Sequence, residues 1–389
     1  MSLAETRTAR ILARQLFDGV GATPLSDRVV EITGGRVSAI RPASADDARG
    51  QDITEHDIVA PGFIDLQING AADAQFNFAP TVETLKTMAE GARQGGTAHI
   101  LPTFITAPDT DYLRAISATE EAIRTRVPGI LGLHLEGPFL SHDRPGIHDP
   151  AAIRSLEEDD LSALTSSDLA TLLLTVAPEA LPPGTMERLS NAGIRVFAGH
   201  SQATADQIAQ AQAEGLVGVT HLFNAMSQLT GREPGVVGAT FASQSLYAGI
   251  IADGHHVDWR NVALAARLMP DRLCLVTDAM LTLAGTQTGF ELHGVEIRLE
   301  DGRLTDREGR LAGAHVSLVE CLRNVVEHAG IELGTALKML STNPAHALGL
   351  ERELGQLEVG KRASITCLSR DLKVTGVYVD GQDFSPAGS

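Results

Sequence analysis

Residues 130–136 read ILGLHLE, a short apolar run that ends on a carboxylate. Its alternation is that of a strand, so Glu136 leaves the strand at its C-terminal tip. Seven more runs of this kind are spread along the chain in order. They end at Gln67 (IVAPGFIDLQ), Thr103 (HILPT), Glu179 (LLLTVAPE), His200 (IRVFAGH), His221 (VGVTH), Asp253 (AGIIAD) and Asp278 (LCLVTD). Between them lie stretches long enough for helices, such as TVETLKTMAEGARQGG and TADQIAQAQAEG. Strand and helix alternating eight times predict an α/β chain built on a (β/α)8 TIM-like barrel. In that fold, catalytic groups sit where the strands end. Tips carrying Glu, His, His and Asp point to a metal-dependent active site.

The two ends of the chain read differently. ARILARQLFDG and DRVVEITGGRVSAI alternate around a Gly34-Gly35 turn, and GQLEVGKRASITCLSRDLKVTGVYVDGQ carries β-branched residues between Gly and Asp turns. The simplest arrangement pairs these ends into one small β-sandwich, with residues 1–57 and 355–389 its two parts and 58–354 the barrel. Past the eighth run, TQTGFELHGVEIRLEDGRLTDREGRL (286–311) reads as an inserted hairpin. SLVECLRNVVEHAG and LGTALKMLSTNPAHALG read as helices.

Composition limits the partners. A 389-residue chain with 43% hydrophobic residues holds a large core and exceeds one typical domain. A net charge of −18 argues against nucleic acid or an anionic membrane as partner. Cys274, Cys321 and Cys367 are odd in number and widely spaced, which fits a reducing cytoplasm rather than a disulfide framework. The N-terminal stretch MSLAETRTARILARQLFDG lacks the apolar core of a signal peptide, and no run is long enough to span a membrane. The expectation is a cytoplasmic protein.

Glu136 in HLEGP, His200 in AGHS and His221 in THLFNAM end three of the runs. One carboxylate and two imidazoles leave an open position on a divalent ion, where bound water becomes acidic enough to attack at neutral pH. Asp278, in LVTDAM, can take the proton from that water and pass it to a leaving group. Its alternative role is a helix N-cap. Ala279-Met280-Leu281 leads into a Gly-containing loop instead, which favours catalysis.

These motifs have a wider match. PGFIDLQING (61–70), HLEGPFL (134–140), AGHSQAT (198–204), THLFNAMSQLTGREPG (220–235), IIADGHHV (250–257), VTDAM (276–280) and LAGAHVSL (311–318) together resemble the amidohydrolase superfamily. Within it they are similar to the N-acetylglucosamine-6-phosphate deacetylases. The resemblance implies hydrolysis of a linear amide C–N bond in amino-sugar metabolism, releasing acetate and D-glucosamine 6-phosphate. It implies Glu136, His200 and His221 as metal ligands, Asp278 as acid/base, and His148 (RPGIHDP) as the donor that polarises the acetamide carbonyl. It further implies that Asn224 and Ala225 contact the substrate and that His256 holds the sugar or its phosphate. Arg232 would bind the phosphate from the neighbouring subunit of a homodimer. Arg suits bidentate phosphate recognition, and so acidic a chain needs a local cation to hold a phosphosugar.

Many superfamily members carry His-x-His at the first strand tip and bind a second metal there. Here that position reads Gln67-Ile68-Asn69. An amide is a poor partner for a transition metal beside imidazole, so one ion per subunit is expected, Zn2+ or Fe2+. Two other readings stay open: the N-acetylgalactosamine 6-phosphate epimer as substrate, or another amidohydrolase reaction. A catalytically inactive binding homologue would lack a ligand or the Asp, and all four residues are present.

Overall fold

The computed structural model describes residues 8–47 and 53–385; the first seven residues of the stretch read above for a signal peptide lie outside it. The eight expected strands form one parallel sheet in chain order. They are Phe63–Ile68, Thr97–Ile105, Leu133–Glu136, Leu172–Val176, Arg195–Ala198, Gly218–Val219, Tyr247–Ile251 and Leu273–Val276. The first and eighth strands close the ring through backbone contacts just past their ends. Asp278 N donates to Gln67 O at 2.9 Å and Asn69 N donates to Ala279 O at 2.8 Å. Closure therefore falls on the residues expected to do chemistry.

Two of the helices around the barrel show how a cap and an apolar face set them in place. In Val82–Gln94, Thr81 accepts from Thr84 N, and Leu85, Met88, Ala89 and Ala92 are buried on one side. Such a cap contributes about 1 kcal/mol. Leu318–Glu327 starts with a reciprocal Ser317–Glu320 capping box. The segment read as one helix over LGTALKMLSTNPAHALG is two, Leu333–Leu340 and Thr342–Leu348, broken at Ser341. Pro344 is the reason: it has no N–H for the carbonyl of Leu340, so the first helix stops and a new one starts with the proline in its opening turn.

The chain ends do pair with each other. Their seven strands form one mixed sheet, in the order Gln382–Asp383, Val374–Val379, Ile365–Leu368, Thr54–Pro61, Thr8–Leu16, Leu25–Thr33 and Arg36–Pro42. This sheet folds over on itself, since Arg36 at one edge bridges Arg362 beside the C-terminal strands. Ile11, Leu16, Val30, Ile32, Ile365 and Tyr378 fill the inside. Thr54–Pro61 runs through the 57/58 position straight into the first barrel strand.

The insertion expected as a hairpin has a third strand: Gly289–Leu292, Val295–Glu300 and Arg303–Thr305. Its turns, His293-Gly294 and Asp301-Gly302, both have positive φ at their two residues, the geometry that suits tight hairpins. Leu292, Ile297 and Leu304 pack with Ile105, Met280 and Ala312 from the mouth of the barrel. The small sheet thus backs Ile105 and Met280, which line the site.

Candidate metal centre and active site

The strand tips turn inward by a shared device. His200, His221 and Asp278 have φ of 49°, 33° and 49°. This left-handed backbone is uncommon outside glycine and costs about 1–3 kcal/mol each time. It ends the strand abruptly and directs all three side chains at one place.

There, Glu136 Oε1 lies 3.1 Å from His200 Nε2 and 2.9 Å from His221 Nε2, and the two imidazole nitrogens are 3.0 Å apart. All three side chains are at least 95% buried. His200 Nδ1 meets the carbonyl of Arg144 at 2.9 Å. A carbonyl only accepts, so Nδ1 carries the proton and Nε2 presents a lone pair. Electron-rich atoms so close together repel unless a proton or cation lies among them. The donor set, oxygen and imidazole nitrogen with no thiolate, fits a divalent ion of the zinc or iron type. A ligand atom of His148 also lies within 4.8 Å of those of Glu136 and His200, so four candidate ligands cluster here.

His148 Nδ1 is held by Thr106 Oγ1 at 2.8 Å, which leaves Nε2 for the cavity. The single hydrogen of the Thr106 hydroxyl decides the tautomer: given to Nδ1 it leaves Nε2 a donor, and given to the Glu136 carbonyl 3.3 Å away it leaves Nε2 a lone pair. Burial pushes His148 well below the usual imidazole range, so the ring is neutral. His142, the other histidine of this loop, is exposed. The loop reaches the centre because Ser141 N donates to His200 O at 3.0 Å.

Asp278 sits opposite. Burial, then the charge of Glu136, pushes its carboxyl up to about 6. Asn69 Nδ2 donates to its Oδ1 at 2.7 Å and Gln67 Nε2 at 3.2 Å; Gln67 also donates to Glu136 Oε2 at 3.0 Å. Burial pushes Glu136 up as well, but hydrogen bonds and charge from His200 and His221 outweigh it and hold Glu136 well below the usual carboxylate range. Burial lowers His221, and its bond to Glu136 reverses the sign and raises it.

A cavity of about 170 Å3 joins these groups. Asn69, Glu136, His148, His200, His221 and Asp278 line its polar end, with Asn224, Ala225 and His256 nearby in the wall. His256 is fixed by Asp253, whose Oδ2 lies 2.7 Å from Nδ1 and whose Oδ1 accepts the backbone N–H of His255 and His256. Burial pushes Asp253 up, but these bonds and the His256 charge bring it down to about 2. His255 is exposed. Arg232 lies on an exposed loop outside the cavity lining, which contains neither Lys nor Arg.

Two strand tips have other work. The fourth strand ends at Val176, and Glu179 follows in a short 3-10 turn. Its carboxylate accepts from Ser201 Oγ and Gln202 N, anchoring the loop after His200. Thr103 Oγ1 accepts Ile68 N at 3.0 Å, tying the second strand to the tip of the first. Sequence reading missed Thr106, the Arg144 carbonyl, and the apolar wall of Ile105, Met280 and Leu311. A backbone carbonyl leaves no trace in composition; the Asp253-x-x-His256 spacing was a signal that could have been used.

Comparison with known proteins fits this geometry. The amidohydrolase family profile matches residues 58–383. The chain is 39% identical over 331 residues to N-acetylgalactosamine-6-phosphate deacetylase of Shewanella sp. (strain ANA-3), covering 85% of this chain and 84% of that one. The chain belongs to the amidohydrolase family. It is 35% identical over 363 residues to N-acetylglucosamine-6-phosphate deacetylase of Haemophilus influenzae, with 92% and 95% of the two chains covered. The crystal structure of N-acetylglucosamine-6-phosphate deacetylase from Pasteurella multocida superposes with a TM-score of 0.92 at 35% identity, over 98% of this chain and 100% of that one. Within the amidohydrolase family the chain thus falls among the N-acetylhexosamine-6-phosphate deacetylases.

Proposed function

We propose that this amidohydrolase hydrolyses the acetamide of N-acetyl-D-glucosamine 6-phosphate, giving D-glucosamine 6-phosphate and acetate. The observation that carries the proposal is the buried convergence of Glu136, His200 and His221 opposite Asp278, with His148 beside them. Glu136, His200 and His221 would hold one divalent ion, Zn2+ or Fe2+. Such an ion supplies Lewis acidity, polarising the acyl carbonyl and acidifying water.

The protein's own groups do the rest. Asp278 accepts the proton of the attacking water as oxygen bonds to the acyl carbon. His148 Nε2–H donates to the acyl oxygen, where negative charge develops, and a fixed donor there lowers the barrier. Asp278 then returns the proton to the amine nitrogen as the C–N bond breaks. The carboxylate ends as it began. Asn224, Ala225 and His256 hold the sugar and its phosphate.

A cavity without Lys or Arg, in a chain of net charge −18, needs an outside cation to bind a phosphate dianion. Exposed Arg232 meets that need from the partner subunit of a homodimer, and Leu229 on the same loop, 57% exposed, is the apolar surface such a contact would cover. Arg232→Ala raises KM for the phosphosugar about tenfold or more, as loss of a charge-assisted bond does, with kcat nearly kept. An unchanged KM removes Arg232 from the phosphate site.

A relative named for the galactosamine epimer is as similar as one named for the glucosamine epimer, so the C4 configuration is the second reading. Acetate release measured on both 6-phosphates and on unphosphorylated N-acetylglucosamine tests the whole proposal. Fast release from N-acetylglucosamine 6-phosphate is expected. A preference for the galactose epimer shifts the substrate, and release from neither rejects the activity.

A further inference from the structure

The first barrel strand ends on two amides, and both direct an N–H at the same carboxylate oxygen. Asn69 Nδ2 donates to Asp278 Oδ1 at 2.7 Å and Gln67 Nε2 donates to it at 3.2 Å. The second hydrogen on Gln67 Nε2 goes to Glu136 Oε2 at 3.0 Å. One primary amide thus bridges the carboxylate that would hold the ion and the carboxylate that would move the proton. Gln67 and Asn69 are each 2% exposed, so bulk water does not compete for these bonds.

The amide orientations follow from the charges. Turning either side chain over would set an amide oxygen against an anionic oxygen, so each N–H side must face inward. Asn69 accepts a cost for this: its Oδ1 is buried with no partner. The backbone is tied at the same point, since Asp278 N donates to Gln67 O at 2.9 Å while Asp278 itself sits at φ 49°. Rotating the Asp278 carboxylate would break both amide bonds at once.

We infer that Gln67 and Asn69 are positioning residues for proton transfer: by occupying Oδ1 of Asp278 they make Oδ2 the oxygen that takes the proton from water and hands it to the departing nitrogen. The Gln-x-Asn pair therefore has a role of its own beyond leaving out a second ion. Its N–H groups turn their positive ends toward Asp278 from the first strand tip, which also makes that spot unfavourable for a second cation. The inference rests on the deacetylase reading for the identity of the proton acceptor.

The test compares the metal-loaded parent enzyme with Asn69→Ala and Gln67→Ala. Each variant is expected to keep one ion per chain and a KM within about twofold, while kcat falls about 10–100-fold, the usual cost of losing an orienting partner. Crystal structures should show Asp278 in one rotamer in the parent and turned or split in Asn69→Ala. A kcat within about threefold of the parent would overturn the inference, as would loss of the ion in step with activity. So would an Asp278 carboxylate that stays in place in both variants. Should Gln67→Ala not fold, Asn69→Ala, smaller and at the cavity wall, carries the comparison alone. A parent enzyme silent on both sugar phosphates would reject the deacetylase reading, and the rotamer comparison would still decide this one.

Discussion

Asp278→Asn should yield a folded, metal-loaded protein whose kcat is lower by about 10³-fold or more. The substitution is nearly isosteric, and its amide oxygen can still accept the N–H of Asn69 and Gln67, so folding is not what it removes. What it removes is the ability to take and return a proton, a contribution of about 10²–10⁴ in comparable reactions. The position serves both halves of the reaction, water activation and amine protonation, which places the loss toward the upper end. The pH dependence carries the same signature. Burial and then Glu136 push Asp278 up to about 6, and the working form is the carboxylate. Activity therefore falls as pH drops through its midpoint and stays level above it. A divalent cation nearby favours the carboxylate, so in the loaded enzyme that midpoint lies below 6. The residual activity of the variant should lack this acid limb. Near-normal turnover at full metal occupancy would rule out Asp278 as the proton carrier.

Stripping the metal should reduce acetate release to below about 1% of the loaded enzyme, and one equivalent of Zn2+ or Fe2+ should restore it. The same treatment should lower the unfolding temperature by several degrees. Glu136 Oε1, His200 Nε2 and His221 Nε2 crowd within 2.9–3.1 Å in a buried site. Without a cation only a proton on His221 Nε2 relieves that convergence, because the His200 proton is committed to the Arg144 carbonyl. Binding only to the folded state adds about 4 kcal/mol when the ion is present at a thousand times its dissociation constant. His221→Ala should show both effects together, with metal content well below one per chain. Full activity after exhaustive chelation would refute the metal reading. Two tightly held ions per chain in elemental analysis would refute the single-ion reading of Gln67 and Asn69.

Much of this site could be read along the chain, for a local reason. An apolar run sets where a strand lies, and the first polar group after it lands at the barrel mouth, which brought Glu136, His200, His221 and Asp278 forward. The same rule named Glu179, yet that carboxylate serves as an anchor for Ser201 and Gln202. The turn of three residues after Val176 carries it out of line with the centre. Asp253 also ends a strand, and its oxygens are spent on fixing His256. His148 lay beyond the reach of periodicity: it is in a loop, and only its bond to Thr106 and the loop's tie to His200 bring it in. It entered through family resemblance.

From residue order alone came the eight-stranded barrel, the pairing of the two β-rich ends and the Glu-His-His-Asp set, because hydrophobic period and strand-end chemistry are local properties. Which of these groups meet at one point was left to the closed ring. Gln67 and Asp278 stand 211 positions apart, and their contact exists only because the first and eighth strands join. No window of sequence contains both partners of such a bond, so the orientation of the proton-carrying carboxylate belongs to the tertiary structure.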